Sequence, residues 1–226
     1  MTRATSAACG RNRNGSRVSD TPSEGPAKGG RYHHGDLKAA LIDVAISLIA
    51  ERGVRGFSLA EASRRLGVTV AAPYRHFADR DDLIAAVGVR ALDAFTAALA
   101  AEGRDADPPE QRLAALARAY VRFAAEQRPL FDTLFVAGID KSRYPEFRRA
   151  FHALEETFRA SALEVCDHDA RAAGALMAAV EATAHGHAAL LLDGSFDDEA
   201  DPVGSAADQA ARATLALIQG RSALRC

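Results

Sequence analysis

The chain sorts into blocks of apolar positions three and four apart, separated by short polar or glycine-containing breaks. Leu41, Val44, Ala45, Leu48 and Ile49 recur at i, i+3, i+4, i+7 and i+8, one wide helical face that Ile42 and Ile46 extend. Asp36 is the expected N-cap of this helix, and Arg52-Gly53 its end. Ser58, with Glu61 three residues on, has capping-box spacing and opens a short helix to Leu66, stopped by Gly67. Thr69 is expected to cap a third helix reaching about Phe77. Asp79 opens a fourth, with Leu83, Ile84, Val87, Leu92, Phe95 and Leu99 on one stripe. After the polar linker Glu102–Pro109, helices are expected over 109–126, 129–137, 144–166, 168–193 and 205–219. Residues 194–204 read as an acidic loop. No period-2 alternation and no internal repeat occurs, so the pattern predicts an all-α fold.

Composition agrees with helix: alanine, the best helix former, is very frequent, and tryptophan is absent. Net charge is only -2, but it is unevenly spread. Residues 1–80 hold 13 Lys and Arg against 7 Asp and Glu, while the remainder holds 15 against 23. A basic first third on an acidic body is the footprint of a protein that meets a polyanion with one end. Residues 1–30 contain almost no large apolar side chain and are expected to be disordered. The segment Arg31–His34 is either a basic arm reaching into a groove or part of that tail. Cys9, Cys166 and Cys226 fit no metal spacing and read as reduced thiols of a cytosolic protein. No leader is expected at the N-terminus. The apolar stretch Ala172–Leu192 contains Glu181, His185 and His187, so it reads as a buried helix rather than a membrane span.

The informative stretch is Phe57–Leu83, two short helices joined by a glycine-containing turn. Ser63, four before Gly67, lets the helices approach, and Leu66 and Val68 flank the turn. This is helix-turn-helix geometry, in which the second helix enters the major groove. Gly67-Val68-Thr69 is followed by Tyr74-Arg75-His76-Phe77, then Arg80 and Leu83. Over residues 36–85 this spacing resembles the TetR family of transcriptional regulators, whose pattern is Gly-Val-Ser/Thr followed by Y-x-H/Y-F-x-x-K/R-x-x-L. Ala184-His185-Gly186 is similar to the Trp-His-Gly signature of one branch, with alanine in the tryptophan place.

Residue roles follow. Thr69 caps the expected recognition helix, and the free N–H groups there can face a phosphate. Val70 and Ala71 stand at its start and can touch thymine methyls but cannot hydrogen-bond a base edge. Arg75 is the candidate for a guanine O6/N7 contact or, equally, a phosphate. The resemblance makes Tyr74 and His76 phosphate binders; ordinary surface or packing is the other reading. Phe77 is core. Arg80 stands where the family usually has lysine and can fork onto a phosphate. Pro73 lies at the edge of the first turn and should stiffen the helix start rather than break it. Arg64 and Arg65 read as solvated or as backbone contacts.

These readings divide the chain into a basic tail (1–34), a helix-turn-helix DNA-binding domain (35–82) and a helical effector-binding and dimerisation domain (83–226). The small residues of 170–193 suit close helix approach in a dimer, with 205–219 completing a four-helix arrangement. The resemblance implies a homodimer with a small effector bound inside each subunit. Tyr120, Phe123, Phe131, Phe135, Phe151, Phe158, Met177 and His185 are the candidate pocket lining; each is also plausible plain core. His152 with Glu155 and Glu156, or His185 with His187, forms no oriented catalytic set, and no phosphate loop is present, so no enzyme and no cofactor is expected. The expected function is a cytoplasmic, sequence-specific DNA-binding repressor, released from its double-stranded operator by a small-molecule effector. The alternative is an effector-independent or architectural DNA-binding protein working through a protein partner.

Overall fold

A computed structural model describes residues 34–104 and 106–224. The expected tail therefore lies outside the described residues as far as residue 33. Among the described residues there are eight α-helices and no strand: α1 (His34–Arg52), α2 (Leu59–Leu66), α3 (Arg80–Gly103), α4 (Pro109–Glu126), α5 (Arg128–Val136), α6 (Pro145–Val165), α7 (Ala170–Leu192) and α8 (Pro202–Gln219).

The local signals explain most boundaries. The Ser58 hydroxyl accepts from Glu61 N–H at 3.2 Å and opens α2. Gly67 closes it in the left-handed conformation at φ 66°, where its N–H meets the Arg64 carbonyl. The reciprocal half of the capping box is replaced: the Glu61 carboxylate is paired with Arg64 and Arg52 instead. The Asp79 carboxylate accepts from Asp82 N–H at 2.8 Å and opens α3. Two expected starts are corrected. Helix α1 begins at His34, so Asp36 lies inside its first turn rather than at the cap. Helix α8 begins at Pro202 rather than 205, because Asp201 caps Gly204 N–H at 3.0 Å and proline is well suited to a first turn.

The larger correction concerns the third helix. Instead of an α-helix from Thr69 to Phe77, residues 73–75 form a single 3₁₀ turn flanked by Ala72. Pro73 has no N–H to return to Thr69, whose carbonyl accepts from Ala72 N–H at 3.0 Å; His76 N–H then bonds the Pro73 carbonyl at 2.9 Å. Bonds of i to i+3 tighten the segment.

Helices α1, α2 and the 3₁₀ turn form a head around Leu41, Leu48, Phe57, Ala62 and Phe77, all buried. Helix α3 starts in this head and runs on into the body, crossing the expected boundary at 82/83. There it packs on α4, α5 and α6, while α4 packs on α6, α7 and α8. The rings of Phe95 and Phe123 stack at 4.4 Å in the seam between α3 and α4. Helices α3 and α7 are both long and apolar enough to cross a membrane. Helix α3 buries that character in the core through Leu83, Val87, Phe95 and Leu99, each 0% exposed.

Candidate nucleic-acid interface and effector site

The turn is anchored from below. Ser63 is fully buried and its hydroxyl donates to the Leu59 carbonyl at 2.9 Å, while Val68 N–H bonds the Ser63 carbonyl at 3.0 Å. That fixes residues 69–75 on the outside of the head. Thr69, Val70, Ala71, Tyr74 and Arg75 are all exposed, Val70 and Tyr74 by more than half. An apolar valine and a tyrosine are thus left in solvent on this short turn, outside the core of the head. Arg75 has no ion-pair partner among the described residues. Nor has Arg55, an exposed cation in the α1–α2 loop that the motif spacing did not single out.

The other head arginines are committed. Arg65 forks onto Glu51 with two contacts of 2.6 Å, and Arg64 pairs with Glu61. The side-chain hydrogen bond from Arg65 holds the Glu51 carboxyl below its ordinary range, and Arg64 does the same for Glu61. Arg80 turns inward: its guanidinium donates to the carbonyls of Phe57 and Val54 and lies 5.0 Å from the Phe57 ring. His76 is half-buried and faces a cleft between the head and the body.

In the body, four of the eight candidate pocket residues gather. The Tyr120 hydroxyl and His185 Nδ1 are 3.1 Å apart. The His185 ring stacks on Phe131 at 5.8 Å and tilts against Phe135 at 4.7 Å, and Phe135 is 46% exposed. Burial, with the nearby Glu181 charge, pushes the Tyr120 phenol well above its usual range. The other four go elsewhere: Phe123 stacks on Phe95, Phe158 is core, Phe151 lies under the Lys141 ammonium, and Met177 packs against the core's edge. None of three sizeable cavities is lined by Tyr120 or His185. No group of three or more His, Cys, Asp or Glu among the described residues can hold a metal ion.

A helix-turn-helix head joined through one shared helix to an all-helical body defines a class of DNA-binding regulators. Comparison with known proteins identifies which. Residues 41–87 match the family described as bacterial regulatory proteins, tetR family, and residues 113–214 match the tetracyclin repressor-like C-terminal domain. The chain belongs to the TetR family of transcriptional regulators. A protein of unknown function from Rhodococcus sp. RHA1 is 30% identical, with a TM-score of 0.67 over 82% of this chain and 97% of that one. The TetR family regulator PfmR from Thermus thermophilus shares 21% identity and a TM-score of 0.56, covering 79% of this chain and 96% of its own. The regulator FadR from Bacillus subtilis, solved with stearoyl-CoA, shares 13% identity and a TM-score of 0.61 over 80% of this chain and 96% of that one. These last two similarities show the fold. No curated protein matches the chain.

Proposed function

We propose that the protein is a homodimeric repressor that reads a near-palindromic DNA operator and is released by a small amphipathic effector. The observation that carries this reading is the exposed surface of Val70, Ala71, Tyr74 and Arg75 above the hydrogen-bonded Ser63–Val68 turn. Its side chains match the chemistry of a major-groove reader: apolar contacts for thymine methyls and one uncommitted guanidinium. Tyr74 supplies a backbone contact, with Thr69 beside it; the remaining Arg80 nitrogen lies 3.6 Å from the Asp81 carboxylate, so a phosphate there competes with that pair, and His76 directly follows the turn.

Dimerisation is supported by helix α7. Gly174, Ala178, Ala182, Gly186 and Leu190 recur every four residues on its outward side, and Leu190 is 50% exposed. A Cβ added at Gly174 or Gly186 meets nothing within the chain, so nothing in the single subunit requires glycine there. A ridge of small residues lets a second α7 approach closely, which suits a two-fold interface.

Effector binding is supported by the Tyr120–His185 pair in its aromatic setting, open to solvent at Phe135. One hydrogen bond to orient a ligand and several rings to cover it is the usual economy of a small-molecule site. The B. subtilis FadR was solved with an acyl-CoA, and an amphipathic acyl compound is a reasonable first probe here. The experiment is a thermal-shift screen of amphipathic metabolites, followed by titration of hits against free and operator-bound protein. Linkage requires that a hit which lowers operator affinity binds the operator complex more weakly by the same factor. Hits that bind both forms equally would remove effector release and favour an effector-independent DNA-binding protein.

A further inference from the structure

A cavity of about 580 Å³ lies where the head meets the body, away from the Tyr120–His185 cluster. Its apolar wall is Ala86 and Val89 of α3, with Phe77 of the head and Phe147 of α6. Its polar rim comes from three different segments: Lys38 of α1, His76 just after the 3₁₀ turn, and Arg143 and Tyr144 just before α6. The volume suits a one- or two-ring molecule.

The rim's charges are unequally satisfied. Arg143 Nη2 holds Asp79 at 2.8 Å and Asp82 at 3.6 Å, and Asp82 also accepts from Ala78 N–H at 2.9 Å. Glu146 faces Arg149 at 3.9 Å. Of the carboxylates that line the cavity, Glu146 thus faces a cation of its own, while Asp82 shares Arg143 with Asp79. Lys38 is exposed and has no ion-pair partner among the described residues. His76 Nε2 is shielded from solvent and has no hydrogen-bond partner among them either. The Tyr144 hydroxyl is similarly shielded beside Asp82, without a hydrogen bond of normal geometry. Shielded polar atoms without partners are rare and call for a specific reason. What this cavity leaves unmet is an ammonium and a ring nitrogen beside an apolar wall.

We propose that the head–body cavity binds a small aromatic carboxylate, its ring against Phe77, Val89 and Phe147 and its carboxylate held by Lys38 and His76. This site is separate from the effector cluster in the body. Its position gives it leverage, because His76 directly follows the turn carrying Tyr74 and Arg75, while Tyr144 is the residue from which α6 starts. An occupant bridges the recognition turn and the body. Binding itself is independent of the function proposed above; only its effect on DNA rests on that reading.

The test is NMR on the full chain with ¹³C-labelled histidine, without DNA, using benzoate as the probe and benzamide as its neutral counterpart. The His76 signal is assigned with His76→Gln. The expected result is a saturable shift of His76, with His185 unmoved and benzamide at least about tenfold weaker. Lys38→Gln, an exposed change, should weaken benzoate about tenfold. Ala86→Phe should abolish the shift while the His185 signal stays at its wild-type position, which shows that the body is still folded. The proposal is overturned if benzoate moves His185 instead, if benzamide binds equally, or if benzoate, phenylacetate and salicylate all fail to shift His76. Operator titration then follows. Benzoate that binds at His76 but leaves operator affinity unchanged keeps the site and removes its coupling to DNA.

Discussion

Arg80 Nε donates to the Phe57 carbonyl at 3.2 Å, and a second nitrogen of the same guanidinium reaches the Val54 carbonyl. The family position that the sequence marks as a phosphate contact thereby also ties the first residue of α3 to the loop between α1 and α2. Removing it leaves two loop carbonyls without their charged donor. Arg80→Ala should destabilise the protein by about 1.5–3 kcal/mol, read by denaturant unfolding. Arg80→Lys should recover only part, because a single ammonium cannot replicate the fork. If Arg80→Ala leaves stability untouched and only flattens the salt dependence of DNA binding, Arg80 is a phosphate contact and nothing more.

Arg75 has the opposite character, exposed and unpaired among the described residues. Arg75→Ala should leave the melting temperature near wild type and relax preference at one base pair per half-site, at about 1–3 kcal/mol. A uniform loss over all sequences reassigns Arg75 to the phosphate backbone.

Gly88 lies where α3 meets the start of α6. A Cβ there would stand 2.6 Å from Ile139 Cδ1 and 2.8 Å from Phe147 Cε2. Gly88→Ala must push these side chains aside, and should cost about 1–3 kcal/mol despite alanine's better helix propensity. Because α3 is shared, the same change should alter operator affinity, measured by anisotropy. A stabilised protein would show that the seam is loose enough to absorb a methyl group.

Glu181 supplies a pH prediction. Burial raises its carboxyl above the ordinary value, Glu155 adds to the shift, and Lys141 opposes it. A carboxyl whose folded pKa is raised favours the folded state below its unfolded pKa, and that contribution is lost as pH rises through the folded one. Glu181→Gln should therefore raise the melting temperature at pH 7, and its advantage should shrink as pH falls through the glutamate range. An advantage that stays constant with pH would mean that charge is not the cause.

Much of this architecture is written locally. Ser58, Glu61, Gly67 and Asp79 announce their helix ends because each acts within four residues, and the stripe from Leu83 to Leu99 marks α3 by period alone. The recognition segment departs from its expected α-helix because of Pro73. A proline is tolerable in a first turn, but here its missing N–H converts the segment to a 3₁₀ turn. Pro202 departs in the other direction: it reads as loop, yet Asp201 makes it a helix start. The candidate body site is half legible. Aromatic content names Tyr120, Phe131, Phe135 and His185, but the same signal names Phe123 and Phe158, which are core, since composition cannot tell which side of a helix meets its neighbour. Lys38, Arg143 and Tyr144 carry no motif, and only tertiary packing brings them to one cavity.

A two-fold interface on α7 has a sharp consequence. Ala182 is exposed on the small-residue ridge, so Ala182→Arg should be tolerated by the single chain. It should nonetheless convert the protein to a monomer in sedimentation analysis and greatly weaken operator binding. A variant that remains dimeric places the interface elsewhere.

In the proposed regulator, two copies of the Val70–Arg75 surface read DNA together. The most direct measurement is selection of bound duplexes from a random pool by the full-length protein at near-physiological salt. The expected result is enrichment of a short, near-palindromic site whose half-sites lie one helical turn apart, roughly 34–36 Å. Recovery of duplexes with no shared sequence, or of a single asymmetric half-site, would contradict it.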